Sequence, residues 1–140
     1  MLAPNDPLML AHRGRILGYA GQVNDGVAAV KAPMRMSPTS LSMLFILGAN
    51  YRVLGQYGDA IQALLEHRKR LGGKVVPAPS EQLIAALVQD GQDAAAEDLA
   101  DHVMTAYPTF SVRVASRYAY RDPIAQATFP AALRCADIPG

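Results

Sequence analysis

The apolar residues of this chain recur at steps of three and four, the spacing of one helix stripe. Around the middle turn the stripes are Leu44, Leu47, Gly48, Tyr51 and Leu54, then Ala60, Ile61, Leu64, Leu65 and Leu71. Around the last turn they are Leu83, Ile84, Leu87 and Val88, then Ala95, Ala96, Leu99, Ala100, Val103 and Met104. The pattern predicts helices arranged in pairs.

Three similar turns separate these stripes. The segments "GQVNDG", "GQYGDA" and "GQDAAA" begin at Gly21, Gly55 and Gly91, which are 34 and then 36 residues apart. Glycine can take the left-handed conformation that stops one helix and lets the chain reverse. A recurring turn at this interval indicates helical repeats. We predict repeats at about 7–38, 41–72 and 77–108, closed by a C-terminal cap at 109–140 in a single domain.

Glycine and proline inside the predicted helices need a structural reason. Gly14 and Gly48 occupy equivalent helix positions, where glycine costs about 1 kcal/mol relative to alanine. We expect a neighbouring helix to approach each of them too closely for a side chain. Pro33 should bend or end its helix, and Pro130 should kink or divide the last one.

The second copy, "LFILGANYRVLGQYGDAIQALLEHRKRL", resembles a tetratricopeptide repeat. The residues that match the family pattern are Leu44, Leu47, Gly48, Tyr51, Ala60 and Leu64. The first copy keeps Leu10, Gly14 and Leu17 but has Arg13 and Gly26 at two pattern positions. The third keeps Leu83, Leu87, Ala96 and Pro108 but has Ile84 in place of glycine. The resemblance implies an all-α, right-handed α-α superhelix with closing helices.

The tail also has a family resemblance, carried by Tyr118, Tyr120, Arg121, Asp122 and Pro123. Its "YRDP" step and final "ADIPG" are similar to the end of tetratricopeptide regions that follow class III adenylate or guanylate cyclase domains in bacteria. Related tails follow repeats in other bacterial regulators. Asp122 and Pro123 predict the start of a last helix that ends near Cys135, before Pro139.

The beginning of the chain suggests a missing neighbour. The segment "LAPNDP" is similar to "MSPTSL", the segment that follows the second helix of the first copy. We therefore expect the chain to begin in the last turn of a missing repeat and to be the C-terminal piece of a longer protein. The first helix would then lack a partner. An uncapped solenoid end favours self-association, so a homodimer through that end is one expected partner state.

Composition narrows the class of protein. The hydrophobic fraction is 51% and the charged fraction 18%, which is typical of a folded chain. The net charge of +1 favours neither nucleic acid nor an acidic membrane as a partner. A single cysteine and the absence of a signal segment or membrane span indicate the cytoplasm.

Few residues indicate catalysis, metal binding or nucleic-acid binding. His12, His67 and His102 lie in different copies without metal-ligand spacing, so we expect no metal and no cofactor. Cys135 is predicted to be a small core residue. The basic run "EHRKR" at a helix end is expected to interact with the helix dipole. Arginines at 113, 117, 121 and 134 are the basis of the alternative, a weak nucleic-acid or nucleotide binder.

The remaining candidate function is the binding of a protein or peptide at the surface. The resemblance implies a concave groove that binds a protein or peptide, lined here by Arg15, Tyr19, Phe45, Ala49, Arg52, Gln82 and Gln89. The carboxylate clamp of chaperone-binding members is missing, since Ala11, Arg15 and Ile46 stand near its places. Arg15 and Arg52 would meet a carboxylate or remain solvated. We expect a non-catalytic protein-interaction or oligomerisation module, the C-terminal regulatory region of a bacterial cyclase-like signalling protein whose catalytic domain lies outside this chain. The alternative is the repeat region of another bacterial regulator, a transcriptional one.

Overall fold

The computed structural model describes residues 13–14, 16–17, 20–34, 41–112 and 123–139. This part of the chain is all-helical and contains no strand. Its helices are α1 (Val23–Met34), α2 (Leu41–Val53), α3 (Tyr57–Arg70), α4 (Pro77–Gln89), α5 (Asp93–Ala106) and α6 (Pro123–Cys135). Residues 13–14 and 16–17 are also helical. The all-α class expected from the sequence is confirmed.

The three glycine turns have the same geometry. Gly21, Gly55 and Gly91 adopt φ values of 86°, 78° and 79°, all in the left-handed region. In each turn the amide after the glycine donates to the carbonyl five residues earlier: Gln22 to Leu17 at 2.8 Å, Gln56 to Tyr51 at 2.9 Å and Gln92 to Leu87 at 2.8 Å. This pattern is the Schellman helix end, which satisfies carbonyls that a terminating helix leaves open. The predicted role of the glycine is confirmed.

The helices pack in chain order. α1 packs against α2, α2 against α3, α3 against α4, and α4 against α5. The helices that open two consecutive pairs, α2 and α4, also contact each other. The turn after α3 contains another left-handed glycine, Gly72, and the amide of Gly73 donates to the Arg68 carbonyl at 2.9 Å.

The interior glycines lie at close approaches. A Cβ placed on Gly48 would lie 2.5 Å from Leu64 Cγ, so α2 and α3 touch there without room for a side chain. Gly14 is buried, and its carbonyl accepts a hydrogen bond from Asn50 Nδ2 at 3.2 Å. The expectation for Gly48 is confirmed, because Leu64 of α3 leaves no room for a side chain there. Gly14 lies against Asn50 of α2.

The predicted stripes form most of the core. Ala60, Leu64, Ile84, Ala96 and Val103 are each at most 1% exposed. Two stripe positions were wrong: Leu65 is 48% exposed and Ala95 is also exposed. Each is adjacent in sequence to a buried residue. Successive side chains of a helix point in different directions, and Leu65 and Ala95 point away from the core.

The C-terminal helix begins at Pro123 and ends at Cys135, as the sequence predicts. Pro130 lies inside α6 without dividing it, so that part of the expectation was wrong. Beyond the helix, Asp137 adopts a left-handed φ of 62°, Ile138 is buried, and the Val112 amide donates to the Pro139 carbonyl at 2.8 Å. The chain after α6 is thereby held against the segment after α5.

α6 packs chiefly on α4. Of the residues that carry the tail resemblance, Pro123 is described, whereas Tyr118, Tyr120, Arg121 and Asp122 lie outside the described residues, as does Pro38. Pro33 is the penultimate residue of α1. Among the described residues, no helix combines the length and apolar character that crossing a membrane requires.

Candidate functional site

The centre of the candidate site is a buried arginine near the end of α2. Arg52 is only 3% exposed. Its Nε donates a hydrogen bond to Gln82 Oε1 at 2.8 Å, and one Nη donates to Gln89 Oε1 at 3.2 Å. The two glutamines are seven residues apart on α4 and therefore lie on one face of that helix. The guanidinium thus joins the opening helices of two consecutive pairs.

A helix from the end of the chain covers this arginine. The Arg52 guanidinium lies 4.7 Å from the centre of the Phe129 ring, which belongs to α6 and is 1% exposed. A planar, weakly hydrated guanidinium over an aromatic face is a favourable cation–π contact, and it strengthens when water is excluded. Gln82 is 1% exposed and its neighbour Glu81 is fully buried. The Arg52 guanidinium is therefore enclosed between the glutamines of α4 and the Phe129 ring of α6.

α6 presents one apolar stripe to the core. Its buried positions, together with the first buried residue after it, are Phe129, Ala132, Leu133 and Ala136. Their spacing is i, i+3, i+4 and i+7, that of the core-facing stripe of an amphipathic helix, and they belong to the same hydrophobic core as residues of α3, α4 and α5. The opposite side carries the exposed residues Ala127, Thr128, Ala131, Arg134 and Cys135.

The predicted groove residues divide into three groups. Arg52, Gln82 and Gln89 are brought together, but Arg52 is buried, so its interpretation as a solvated arginine was wrong. Phe45 is half-buried and its ring faces His67 of α3, while Ala49 is half-buried on α2. Arg15 and Tyr19 lie outside the described residues, as does Ala11.

His67 is a second unusual side chain. It is 6% exposed, and its Nδ1 has no hydrogen-bond partner among the described residues. Its ring centre lies 6.4 Å from that of Phe45 at an angle of 55°, a tilted aromatic contact. Burial lowers the pKa of His67 from 6.5, because desolvation disfavours the charged imidazolium. Burial in the packing between α2 and α3 therefore favours the neutral form of the His67 ring.

A cleft of about 400 Å³ lies between α2 and α3. It is lined by four apolar or aromatic residues and three polar ones: Leu44, Leu47, Tyr51, Ala63, Asp59, Gln62 and Glu66. Lys31 of α1 lies 5.4 Å from the centre of the Tyr51 ring. This cleft contains none of the predicted groove residues.

The remaining candidates for chemistry are dispersed. Cys135 is exposed, so its predicted place in the core was wrong. The described residues contain no group of three or more His, Cys, Asp or Glu side chains placed to hold a metal ion. The basic run ends α3 as predicted, with Arg70 paired to Glu66 at 2.9 Å. Of the four tail arginines only Arg134 is described, and it is exposed.

Comparison with known proteins gave one result: no family model, no curated protein and no solved structure matches the chain. Its function is therefore inferred from the helices and side chains described above. Among them, the Arg52 cluster (Arg52, Gln82, Gln89 and Phe129) joins side chains of α2, α4 and α6.

Proposed function

We propose that this chain is a non-catalytic protein-interaction module of the tetratricopeptide type. In this proposal the helices form a right-handed superhelix, and the opening helices of consecutive pairs line a concave binding face. The three Schellman turns at Gly21, Gly55 and Gly91 support the repeat, because the same residue takes the same conformation each time. The contact between α2 and α4 supports a shared face formed by the opening helices.

The observation that carries the binding function is the Arg52 cluster. Side chains from α2 and α4 meet on one face and hold a third helix, α6, against it. The packing of one helix against this face supports the proposal that the face can bind a peptide segment. The proposed ligand is accordingly a protein segment, and the module needs no cofactor.

The proposal extends to the parent protein. The "YRDP" step and "ADIPG" ending favour the C-terminal regulatory region of a bacterial cyclase-like signalling protein, acting in the cytoplasm. In such a protein the module would bind a partner or associate with a second copy, and catalysis would belong to another domain.

The test is affinity capture with a matched pair of variants. Ala49→Glu places a charge on the proposed face, and Ala94→Glu places the same charge on an exposed position of α5. Wild type and Ala94→Glu are expected to retain the same protein from a lysate of the source organism, with direct binding then measured by calorimetry. Ala49→Glu should lose it while keeping its helical circular dichroism. Equal binding by both variants would place the binding surface elsewhere, and no binding by wild type would argue against the interaction function.

A further inference from the structure

We infer that the proposed binding face changes with pH, because uptake of a proton by the His67 ring would displace the Phe45 ring that packs against it. His67 belongs to α3, whereas Phe45 lies on α2, four residues before Ala49 and therefore on the same side of that helix. The inference rests on the proposed function as an interaction module and adds the way in which its binding face is regulated.

The first support is the hydrogen bonding of the His67 ring. His67 is 6% exposed, and its Nδ1 is buried without a hydrogen-bond partner in the described part of the chain. A neutral imidazole can leave this nitrogen without a hydrogen, but protonation makes both ring nitrogens donors. A charged donor that is buried without an acceptor costs more than a neutral group does. Protonation therefore makes the present position of the ring unfavourable.

The second support is the set of groups around the ring. A cavity of about 10 Å³ beside the start of α4 is lined by His67, Arg68, Lys74 and Ser80, among other residues. This volume holds about one water molecule, which is too little to hydrate an imidazolium. The charged side chains that line it, Arg68 and Lys74, are both cations, and α4 contributes the neutral Ser80 hydroxyl. On the α2 side the ring meets Phe45, which carries no charge.

The carboxylates adjacent in sequence to these residues do not compensate the charge. Glu66 lines the cleft between α2 and α3 and pairs with Arg70 at 2.9 Å. Glu81 does not line the cavity beside His67. Burial lowers the pKa of His67, whereas a carboxylate beside the ring would raise it. An imidazolium is therefore not held in place by an opposite charge.

The third support is the contact that transmits the change to the face. The ring centres of Phe45 and His67 lie 6.4 Å apart at an angle of 55°. Phe45 also packs on the buried residues that α1 and α2 share and on the main core of α3 to α6. A His67 ring that moves towards water removes one neighbour of Phe45 and alters the surface beside Ala49. Because burial lowers the pKa of His67 from 6.5, the face keeps its form at neutral pH and changes below pH 6.5.

The experiment follows the two rings by NMR in the full chain, from about pH 7.5 to about pH 5, across the range in which histidine titrates. The chain has three histidines and three phenylalanines, so their ring signals can be assigned with single substitutions. Below the midpoint of the His67 titration, the nuclear Overhauser contact between the His67 and Phe45 rings should be lost while the helical circular dichroism stays constant. His67→Leu should remove the pH dependence of the Phe45 signals, with His67→Gln in its place if that variant does not fold. His102→Gln, which removes an exposed histidine, should behave as wild type.

A second measurement tests the coupling from the side of Phe45. Phe45→Ala opens space beside the imidazole, so water reaches the ring and the pKa of His67 should shift upwards, towards 6.5. Phe45→Leu replaces this variant if it does not fold. Leu65→Ala is the control, because Leu65 also belongs to α3 but is 48% exposed, and it should leave the pKa of His67 at the wild-type value.

Each outcome supports or overturns the inference. A ring contact that persists below the midpoint of the His67 titration overturns it, as does an unchanged pKa of His67 in the folded Phe45 variant. Loss of the contact together with the helical signal also overturns it, because acid would then unfold the chain and not alter one face. These measurements need no ligand, so the capture experiment with Ala49→Glu and Ala94→Glu succeeds or fails separately. A pH-dependent ring contact in a chain that captures no partner would count against the interaction function alone.

Discussion

Gly48 of α2 lies directly against Leu64 of α3, and a Cβ added to the glycine would come within 2.5 Å of Leu64 Cγ and 2.8 Å of Cδ2. Leu64 is 1% exposed and cannot move aside into solvent. The two helices therefore approach each other at a point where the smallest residue of one meets a large residue of the other. Several expected outcomes depend on such contacts.

Gly48 and Gly58 form a matched pair for testing this approach. Gly48→Ala is expected to lower the free energy of unfolding by about 1–3 kcal/mol, because the methyl group overpacks the contact with Leu64. Gly58→Ala should raise it by up to about 1 kcal/mol, since open space surrounds that α3 position and alanine favours helix. Chemical denaturation of both variants measures the difference, and equal effects would contradict the assigned helix faces.

Leu64→Ala tests the other side of the contact. The substitution should destabilise the fold by about 2–5 kcal/mol, as a buried large-to-small change that leaves a cavity. Leu65→Ala is the control, because Leu65 is the neighbouring residue but is 48% exposed. Its expected loss is within about 0.5 kcal/mol, as for other surface substitutions. A wild-type melting temperature for Leu64→Ala would show that the side chain is not in the core.

Arg52→Lys should behave as a disruptive change although it keeps the charge. A lysine ammonium cannot reproduce the planar fork that meets Gln82 and Gln89 and stacks on Phe129. We expect a loss of about 1.5–3 kcal/mol in the free energy of unfolding, the range for hydrogen bonds to charged groups. A double-mutant cycle with Phe129→Leu isolates the ring contact, and a coupling energy near zero would show that it contributes nothing.

His67 predicts a pH dependence of stability. Its pKa is lowered from 6.5 by burial, so between the lowered value and 6.5 the unfolded chain binds more protons at this residue than the folded chain. Stability therefore rises with pH through this window and is lost as the pH falls below 6.5. His67→Leu should reduce this loss in urea denaturation curves measured on both sides of the window. His102→Gln removes an exposed histidine and serves as the control; if His67→Leu leaves the pH dependence unchanged, His67 is not its source.

Asp137 is the non-glycine residue with positive φ in the described part of the chain, at 62°. Asp137→Val should destabilise by about 1–2 kcal/mol, because a side chain branched at Cβ is strained in the left-handed region. Asp137→Gly should be neutral or slightly stabilising, since glycine takes that conformation freely. Thermal unfolding of the two variants compares them directly, and similar melting temperatures would argue against this backbone conformation at the end of α6.

The sequence by itself determined the helical class, the three Schellman turns and the tight position of Gly48. These features depend on local conformation and on the 3.6-residue period, and both can be read from the order of residues. Misassigned positions such as Leu65 and Ala95 sit beside buried residues at the margin of a stripe, where periodicity does not decide between core and solvent.

Only the tertiary structure determined the burial of Arg52 and its contacts. Its partners Gln82, Gln89 and Phe129 are 30, 37 and 77 residues away, and no local pattern encodes which helix covers a given face. The sequence placed Arg52, Gln82 and Gln89 on one groove but left the arginine solvated. The docking of α6 buried it, because the free energy of covering an apolar stripe depends on which surfaces meet in three dimensions.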